Sequence, residues 1–321
     1  MKECFAIGID LGASQIKCGI VSDRGKIRFK QACPTPANSG RAKIASTLEK
    51  ATSQLLEFSR RPRIEIKGIG IGSPGTVEPE TGRVVGASPN LPGWPGVNLK
   101  KIFRKFGLPI FADNDANLMA LAESRLGAAK GYQNVVCLTI GTGIGGGLIL
   151  DGRVYHGSSS AAGELGHTTI ALDGKLCRCG NRGCLEAYAS VPALLESARK
   201  LLKTSDNHSI LRRYGDNLTP SHIFAALKVR DPIAQSIIKM EAEYLAAGLA
   251  SAVNLLNPEV IVVGGGLVEA SSSFLRSLEK RIKSKAFPSA ARGLKVLRAQ
   301  LGNEAGFIGA ALFCLENIRN N

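Results

Sequence analysis

The N-terminal stretch Cys4-Phe-Ala-Ile-Gly-Ile-Asp-Leu-Gly-Ala-Ser-Gln-Ile-Lys-Cys-Gly-Ile-Val21 has the pattern of a strand, a glycine turn and a second strand. The first apolar run ends near the carboxylate of Asp10, Gly12 follows, and the second run begins at Ile16. A signal peptide would need a longer apolar segment with no carboxylate directly after it. We therefore expect the chain to open with a β-hairpin and the protein to be cytoplasmic.

The same pattern returns in the middle of the chain and predicts an internal structural repeat. Asn134–Ile140 is rich in β-formers, a glycine loop follows, and Gly147–Leu150 is again apolar. Apolar spacing predicts further strands at 25–30, 64–72, 108–112 and 260–263, and helices at 41–60, 116–126, 191–204, 219–229, 231–256 and 305–318. These elements predict an α/β fold of two lobes. The small N-terminal lobe covers 1–113 with the closing helix (about 305–321) packed on it, and the large C-terminal lobe covers 114–304.

Composition and charge are those of a globular protein without membrane segments. Of the 321 residues, 44% are hydrophobic and 21% are charged, as in soluble domains, and no apolar run approaches the roughly 20 residues that span a bilayer. The net charge of +15 is spread over many segments. A solvated basic surface is the simpler interpretation, and attraction towards a nucleotide or polyphosphate is the alternative. Charge alone does not separate the two.

Three glycine-rich loops follow β-rich runs and are candidates for phosphate binding: Asp10–Ser14, Gly141–Gly147 and Gly264–Gly266. Glycine lets backbone N–H groups approach an anion closely, although each loop alone could be an ordinary tight turn. The first two lead into another strand, which excludes the dehydrogenase fingerprint and the P-loop and favours the paired-hairpin clamp of actin-like ATPases and sugar kinases. The candidate phosphate contacts are Asp10, Gly12, Ser14, Lys17, Gly141, Thr142, Gly143, Gly145, Gly265 and Gly266.

Three of the eight cysteines lie close together in Cys177-Arg-Cys-Gly-Asn-Arg-Gly-Cys184, and His167 lies ten residues before them. Without an export signal, such crowding indicates a metal before a disulfide. Three thiolates and one imidazole satisfy the tetrahedral preference of zinc. Four protein ligands (His167, Cys177, Cys179 and Cys184) leave no position for water, so we expect a structural zinc site. The alternative is three buried free cysteines near an unrelated histidine.

The stretch Phe111-Ala-Asp-Asn-Asp-Ala-Asn-Leu-Met119 places four polar side chains where a predicted strand meets a predicted helix. One of Asn114 or Asp115 is expected to cap the helix, but one cap does not explain all four. A kinase that acts on an alcohol needs a carboxylate to accept the hydroxyl proton, with magnesium offsetting the phosphate charge. Asp115 is therefore a candidate base, and Asp10 could help to hold magnesium through water.

Five motifs together carry a family resemblance: Asp113-Asn-Asp-Ala-Asn117, Thr139-Ile-Gly-Thr-Gly-Ile-Gly-Gly-Gly147, Gly163-Glu-Leu-Gly-His167, Cys177-Arg-Cys-Gly-Asn-Arg-Gly-Cys-Leu-Glu186 and Asn257-Pro-Glu-Val-Ile-Val-Val-Gly-Gly-Gly266. Through them the sequence resembles the ROK family of sugar kinases and repressors over essentially its whole length. The resemblance implies a two-lobed actin/hexokinase-like (ribonuclease H-like) ATPase fold, with the sugar in the cleft between the lobes.

The resemblance also implies roles for individual residues. Asp115 would be the base, and the sugar contacts would be Gly75, Asn90, Asn114, Glu164, His167 and Glu186. His167 could use one ring nitrogen for zinc and the other for the sugar. The implied cofactors are ATP, Mg²⁺ and a structural Zn²⁺, and the implied assembly is a homodimer or homotetramer. The motif Ser88-Pro-Asn-Leu-Pro-Gly-Trp94 is similar to that of the family's glucokinases and favours glucose.

The first phosphate loop departs from the family pattern. The family usually has Asp-x-Gly-Gly-Thr, and this chain has Asp10-Leu-Gly-Ala-Ser14. Ser14 keeps a hydroxyl donor, but Ala13 adds a Cβ where the backbone often approaches phosphate. The departure bears on the affinity for the phosphoryl donor and on its identity.

We expect an ATP-dependent sugar kinase that converts glucose to glucose 6-phosphate. N-acetylmannosamine, N-acetylglucosamine, fructose or allose could replace glucose, and polyphosphate could replace ATP. Repressors of the family carry a helix-turn-helix domain ahead of the sugar-binding fold. Because the first strand begins within a few residues of Met1, we expect no such domain and no nucleic-acid partner. A non-catalytic sugar sensor would be expected to lack the base or the phosphate loops, and both are present.

Overall fold

The computed structural model describes residues 3–60, 63–86, 88, 90–266 and 272–320. The described helices are α1 Arg41–Arg60, α2 Leu99–Phe103, α3 Asp115–Leu126, α4 Glu186–Ala189, α5 Val191–Thr204, α6 Pro220–Lys228, α7 Pro232–Leu256, α8 Ser272–Lys285 and α9 Ala305–Asn320. The described strands are β1 Phe5–Leu11, β2 Gln15–Ser22, β3 Ile27–Pro34, β4 Ile66–Ser73, β5 Val77–Glu78, β6 Arg83–Val84, β7 Ile110–Asn114, β8 Val135–Ile140, β9 Ile144–Leu150, β10 Arg153–Val154, β11 Val260–Gly264 and β12 Lys295–Arg298.

The first sheet has the strand order β3-β2-β1-β4-β7. Strand β1 pairs antiparallel with β2, as the predicted hairpin requires, and parallel with β4, which pairs parallel with β7. The register places Asp10 beside Gly72 and Gly72 beside Asp113. Since ligands gather at the carboxyl ends of parallel strands, this edge of the sheet is where Asp10 and the polar motif that begins at Asp113 come together.

Helix α9 packs on β1, β4 and α3. A Cβ at Gly8 would lie 1.8 Å from the carbonyl oxygen of Phe307, and one at Gly70 would lie 1.8 Å from that of Ala310. These distances are far below van der Waals contact, so the two glycines are required for the helix to lie this close to the sheet. The predicted closing helix is confirmed and extends to Asn320.

The second sheet has the order β10-β9-β8-β11-β12. Strands β8, β11 and β12 are parallel, and β11 is buried along its whole length. Strand β9 begins at Ile144, inside the predicted loop Gly141–Gly147. Gly147 is needed for close packing against α3, because a Cβ there would lie 2.7 Å from the carbonyl oxygen of Ala116.

The chain divides into two compact units. The first comprises Met1–Gly131, Gly147–Gly163 and Gln300–Asn321, and the second comprises Tyr132–Gly146 and Glu164–Ala299. These bounds differ from the predicted lobes 1–113 and 114–304, because α3 belongs to the first unit. It packs against α9 so closely that a Cβ at Gly309 would lie 1.8 Å from the carbonyl oxygen of Leu118.

The predicted strands and helices are confirmed, with ends that move by a few residues. The sequence analysis did not identify α2, α4, α8 and β12, or the two-residue strands β5, β6 and β10. Two residues are too few to show an alternating pattern. Within the described part of the chain, no helix has both the length and the apolar character needed to cross a membrane.

Candidate active site and metal centre

Asp115 is the first residue of α3, and its neighbour Asn114 caps that helix. The Asn114 side chain accepts hydrogen bonds from the backbone N–H groups of Ala116 (2.9 Å) and Asn117 (3.2 Å). The sequence left open whether Asn114 or Asp115 is the cap, and the structure assigns the cap to Asn114. Asp115 itself is half-buried and accepts a bond from the Ala116 N–H (2.9 Å). The cap of α3 is thus supplied by Asn114, and Asp115 adds a bond to the N–H of the next residue.

Asp10 lies at the end of β1 in an environment that disfavours its charge. Burial, followed by the nearby charge of Asp115, raises the pKa of Asp10 to about 7, although Lys17 acts in the opposite direction. The side chain lies against the start of α9, since a Cβ at Gly306 would lie 2.6 Å from Asp10 Oδ2. Two carboxylates whose charges interact form a site where a divalent cation would be favourable.

Replacing Asp10 with asparagine is expected to stabilise the protein at pH 8 in the absence of metal and nucleotide. The folded pKa of about 7 exceeds the ordinary 3.8, so the folded state holds a proton that the unfolded chain releases. Stability from this group therefore falls as the pH rises from about 4 to 7. The variant should gain about 1 to 3 kcal/mol at pH 8, allowing for partial solvent screening. Urea unfolding at pH 5 and pH 8 tests this.

The matched control is Asp206→Asn at an exposed position, where no such gain is expected. A variant of Asp10 that is less stable than the parent at both pH values would contradict the assignment of a raised pKa to this carboxyl group.

The first glycine loop is tied to the end of β3. Thr35 donates its hydroxyl to the Gly12 carbonyl (2.7 Å) and its N–H to the Ser14 carbonyl (3.0 Å). Ser14 is exposed. Lys17, paired with Asp10 across the strands, donates to Asn303 Oδ1 (3.3 Å). The loop thus presents a hydroxyl and a cation beside Asp10, as a phosphate contact requires.

Asn114 contacts the loop at Gly75, and the loop with Asn90 is anchored to the same segment. The Asn114 side-chain amide donates to the carbonyl of Gly75 (3.0 Å), a residue whose φ of +83° favours glycine. The loop that carries Asn90 is held to the same place, because Ser88 donates its hydroxyl to the Pro74 carbonyl (3.0 Å). Asn90 is exposed. Gly75 and Asn114, predicted as sugar contacts, are therefore in direct contact, and Asn90 lies in a loop anchored beside them.

The second and third glycine loops lie next to each other in the second unit. Strands β8 and β11 are parallel and pair Thr139 with Gly264. A Cβ at Gly265 would lie 2.0 Å from the Ile140 carbonyl oxygen, and Gly265 has a φ of +103°. Thr142 is exposed at the tip of the second loop. The predicted phosphate contacts of this unit, Gly141, Thr142, Gly143, Gly145, Gly265 and Gly266, follow or border the carboxyl ends of two adjacent strands.

Glu164, His167 and Glu186 form a second polar cluster. Glu186 Oε2 accepts the N–H of Ile144 (2.8 Å), and a Cβ at Gly143 would lie 2.5 Å from that oxygen. His167 Nε2 lies 4.0 Å from Glu164 Oε2. Burial raises the pKa of Glu164, His167 lowers it and Glu186 raises it. The cluster gathers the acceptors and the donor that a polyhydroxylated ligand needs.

The four predicted metal ligands converge. Their ligand atoms all lie within 4.8 Å of one another. Cys177 Sγ is 3.7 Å from His167 Nδ1, and Cys179 Sγ is 3.7 Å from Cys184 Sγ. With Zn–S bonds of about 2.3 Å, two sulfurs of a tetrahedral site lie roughly 3.8 Å apart. The cluster therefore fits zinc, with Nδ1 of His167 towards the metal and Nε2 towards Glu164.

The ionisation of the thiols is uneven. Burial raises the pKa of Cys177 and raises that of Cys184 to about 12. A backbone hydrogen bond from Asn181 lowers the pKa of Cys179. Because zinc binds thiolates, a metal that enters this site displaces protons from Cys177 and Cys184.

The sequence analysis missed one residue of the site altogether. His156 Nε2 lies 2.7 Å from Oδ2 of Asp113, whose side chain is completely buried. Asp113 was singled out only as part of a motif. The spacing of the sequence gives no signal for this pair, because His156 lies in a loop 43 positions further along the chain.

The chain matches the ROK family model over residues 6–317. It is 35% identical to a glucokinase of Halalkalibacterium halodurans, over 96% of this chain and 94% of that protein. It is also 33% identical to a xylose repressor of Caldicellulosiruptor bescii, over 97% of this chain and 78% of the repressor. Both a kinase and a regulator are thus similar to almost the whole chain.

Among solved structures, a ROK family glucokinase from Streptomyces griseus in complex with glucose and AMPPNP is similar to this fold. The two share 33% identity with a TM-score of 0.83, over 97% of this chain and 99% of that one. The predicted fold class, α/β of the two-lobed actin/hexokinase-like type, is confirmed by this similarity.

Proposed function

This chain belongs to the ROK family, and on that basis we propose that it phosphorylates glucose to glucose 6-phosphate with ATP. It is a sugar kinase, a phosphotransferase of the hexokinase type. The identity of the sugar and of the donor, the residues that act and the bound zinc are the parts that we propose.

The observation that carries the proposal is the position of Asp115. It is half-buried at the start of α3, its neighbour Asn114 already caps the helix, and Asp10 is close enough for the two charges to interact. A carboxylate that the fold does not need as a cap, beside a second carboxylate suited to a cation, is what phosphoryl transfer to an alcohol requires.

In the proposed reaction, Asp115 accepts the proton of the sugar 6-hydroxyl as that oxygen bonds to the γ-phosphorus of ATP, the bond to the β–γ bridging oxygen breaks and ADP leaves. Asp10 would hold Mg²⁺ through water, and the ion would offset charge on the phosphates. Lys17 and the exposed hydroxyl of Ser14 would contact the nucleotide phosphates beside Asp10. Gly141–Gly147 and Gly264–Gly266 would provide backbone N–H groups for the rest of the nucleotide.

We propose that side chains with amide, carboxylate and imidazole groups bind the sugar hydroxyls and so orient the sugar. These are Asn90 and Asn114, with the loop at Gly75, and Glu164, His167 and Glu186. His167 supports this assignment because its Nδ1 faces the thiol cluster while its Nε2 faces Glu164. The second nitrogen is therefore oriented away from the metal ligands.

Zinc is proposed as a structural ion held by His167, Cys177, Cys179 and Cys184. When bound, it would fix the turn that precedes Glu186 and the ring orientation of His167. No substrate step passes through it, because the protein supplies all four ligands of a tetrahedral ion.

The proposed substrate is tested by ADP release over a panel of glucose, fructose, allose, N-acetylglucosamine and N-acetylmannosamine. We expect kcat/KM for glucose to exceed the others by about tenfold, since leaving a buried polar group of the pocket unpaired costs about 1 to 3 kcal/mol. Glucose 6-phosphate formation with polyphosphate in place of ATP tests the donor. The Asp115→Asn protein, purified in the same way, is the control for contaminating kinases.

A sugar-responsive regulator is the second candidate, because the xylose repressor is 33% identical over 97% of this chain. Calorimetric binding of glucose without any ADP release would favour it. Turnover of another sugar above glucose would keep the kinase and replace the substrate.

A further inference from the structure

We propose that His156 is a positioning residue for phosphoryl transfer, which holds the buried carboxylate of Asp113 and, through it, the turn that carries Asn114 and Asp115. This role rests on the proposed function of Asp115 as the base. His156 itself has no assigned contact with the substrates.

Asp113 is the buried residue that directly precedes the turn with Asn114 and Asp115. It lies in β7, its side chain is 0% exposed, and Asn114 and Asp115 follow it directly. Oδ1 accepts the backbone N–H of Asn114 (2.7 Å) and Nδ2 of Asn117 (3.1 Å). Oδ2 lies 2.7 Å from His156 Nε2. One carboxylate therefore joins the end of a strand, the first turn of α3 and a loop from a different part of the first unit.

The charge of Asp113 needs a counterion. A buried carboxylate without a partner costs several kcal/mol, and the ion pair recorded for Asp113 in the described residues is the one with His156. Burial lowers the pKa of His156. The hydrogen bond to Asp113 and the charge of Asp113 together outweigh this effect, so the net pKa is raised. The contact with Asp113 thus favours the protonated imidazole of His156 more than solvent alone would.

The backbone of the His156 loop is fixed on both sides. Tyr155 donates its N–H to the Leu148 carbonyl (2.9 Å), and the His156 carbonyl accepts the N–H of Ala162 (3.0 Å). Gly157 has a φ of +72°, which permits the turn between them. The imidazole is therefore presented by an ordered loop rather than by a free end, as a positioning group must be.

Asn117 already uses its amide group on the other carboxylate oxygen of Asp113. Asn117 is 2% exposed, its Nδ2 is used by Asp113, and its Oδ1 is buried without a partner. Turning the amide would place an oxygen against the carboxylate. Loss of His156 would therefore remove the donor to Oδ2 of Asp113, and the turn at Asp115 would lose one of its anchors.

A displaced base affects turnover more than binding. Small shifts of a reacting group away from the productive geometry reduce the rate of the chemical step strongly, whereas the sugar and nucleotide contacts proposed above lie on other residues. His156→Ala is expected to lower kcat by about 10- to 100-fold, with the KM values for glucose and ATP changed less than about threefold.

The experiment compares variants that differ only in the donor. His156→Gln can still donate to Asp113 and should keep kcat within about fivefold of the parent. His156→Ala should regain kcat when imidazole is added, as the cavity admits the missing ring. His208→Ala is the matched control, since His208 is exposed and its loss should change nothing.

His156→Met, which keeps volume but gives Asp113 no donor, replaces the alanine variant if that one does not fold. Parental kcat in the alanine or methionine variant overturns the positioning role. An equal loss of kcat in the glutamine variant, with no rescue of the alanine variant by imidazole, also overturns it. If neither the alanine nor the methionine variant folds while the glutamine variant does, His156 is assigned to stability and the positioning role is overturned. A parent protein with no sugar kinase activity would instead overturn the proposed function.

Discussion

Replacing Asp115 with asparagine is expected to lower kcat with glucose and ATP by at least about two orders of magnitude. Asparagine keeps the size of the side chain but cannot accept the hydroxyl proton, and a positioned general base contributes about 10²- to 10⁴-fold. Folding should be almost unchanged, because Asn114 and not Asp115 caps α3. Loss of an acidic group in the first helical turn costs about 0.3 to 1 kcal/mol.

Three measurements make this result specific. Initial rates give kcat, calorimetry gives the glucose affinity, which should stay measurable, and thermal unfolding gives stability. Removal of the Asp115 charge also removes one of the effects that raise the pKa of Asp10. Asp206→Asn, at an exposed position, should retain parental activity. Turnover near the parental value in the Asp115→Asn protein would exclude this residue as the base.

Loss of the proposed zinc site should have the second large effect, on both stability and the proposed sugar recognition. Cys184→Ala is expected to lower the melting temperature by about 10 °C or more, because structural zinc contributes several kcal/mol or more to folding. It should also lower kcat/KM for glucose by at least about tenfold, the usual scale for losing a group that orients a ligand. The backbone around Cys184 is joined to the segment that follows His167. Cys184 forms a β-bridge with Thr169, and Leu185 donates its N–H to the Thr168 carbonyl (2.9 Å).

Elemental analysis of protein purified without added metal should give one zinc per chain, and a strong chelator should reproduce the effect of the variant. Cys33→Ala is the matched control, because Cys33 is a half-buried cysteine outside the cluster. Parental activity in protein that contains no metal would refute a structural zinc.

The sequence predicted the parts of the site that are local in the chain. The hairpin at Asp10, the thiol cluster that ends at Cys184 and the polar motif at Asp115 are each encoded within a few residues, so the period of apolar residues and the spacing of ligands identify them. Asp10 and Asp113 are brought to one sheet edge by parallel pairing, which the alternation of strands and helices already indicates.

The features that sequence patterns did not predict depend on contacts between distant segments. The His156–Asp113 pair joins positions 43 residues apart, and a single histidine in a loop has no periodicity. The bounds of the compact units also differ from the predicted lobe boundary at 113, because the membership of α3 depends on its packing on α9. Such contacts depend on side-chain fit, and the pattern of apolar residues does not specify which helix faces which.

Helix α9 has a consequence for how the protein is made. It covers β1 and β4, in contact with Gly8 and Gly70, yet it follows β1 by about 300 residues along the chain. At 5 to 20 residues per second, about 15 to 60 s separate the synthesis of β1 from that of the helix that packs on it. The N-terminal sheet therefore leaves the ribosome with one apolar face uncovered, and we expect the nascent chain to depend on a chaperone until α9 has been made and packs on this face.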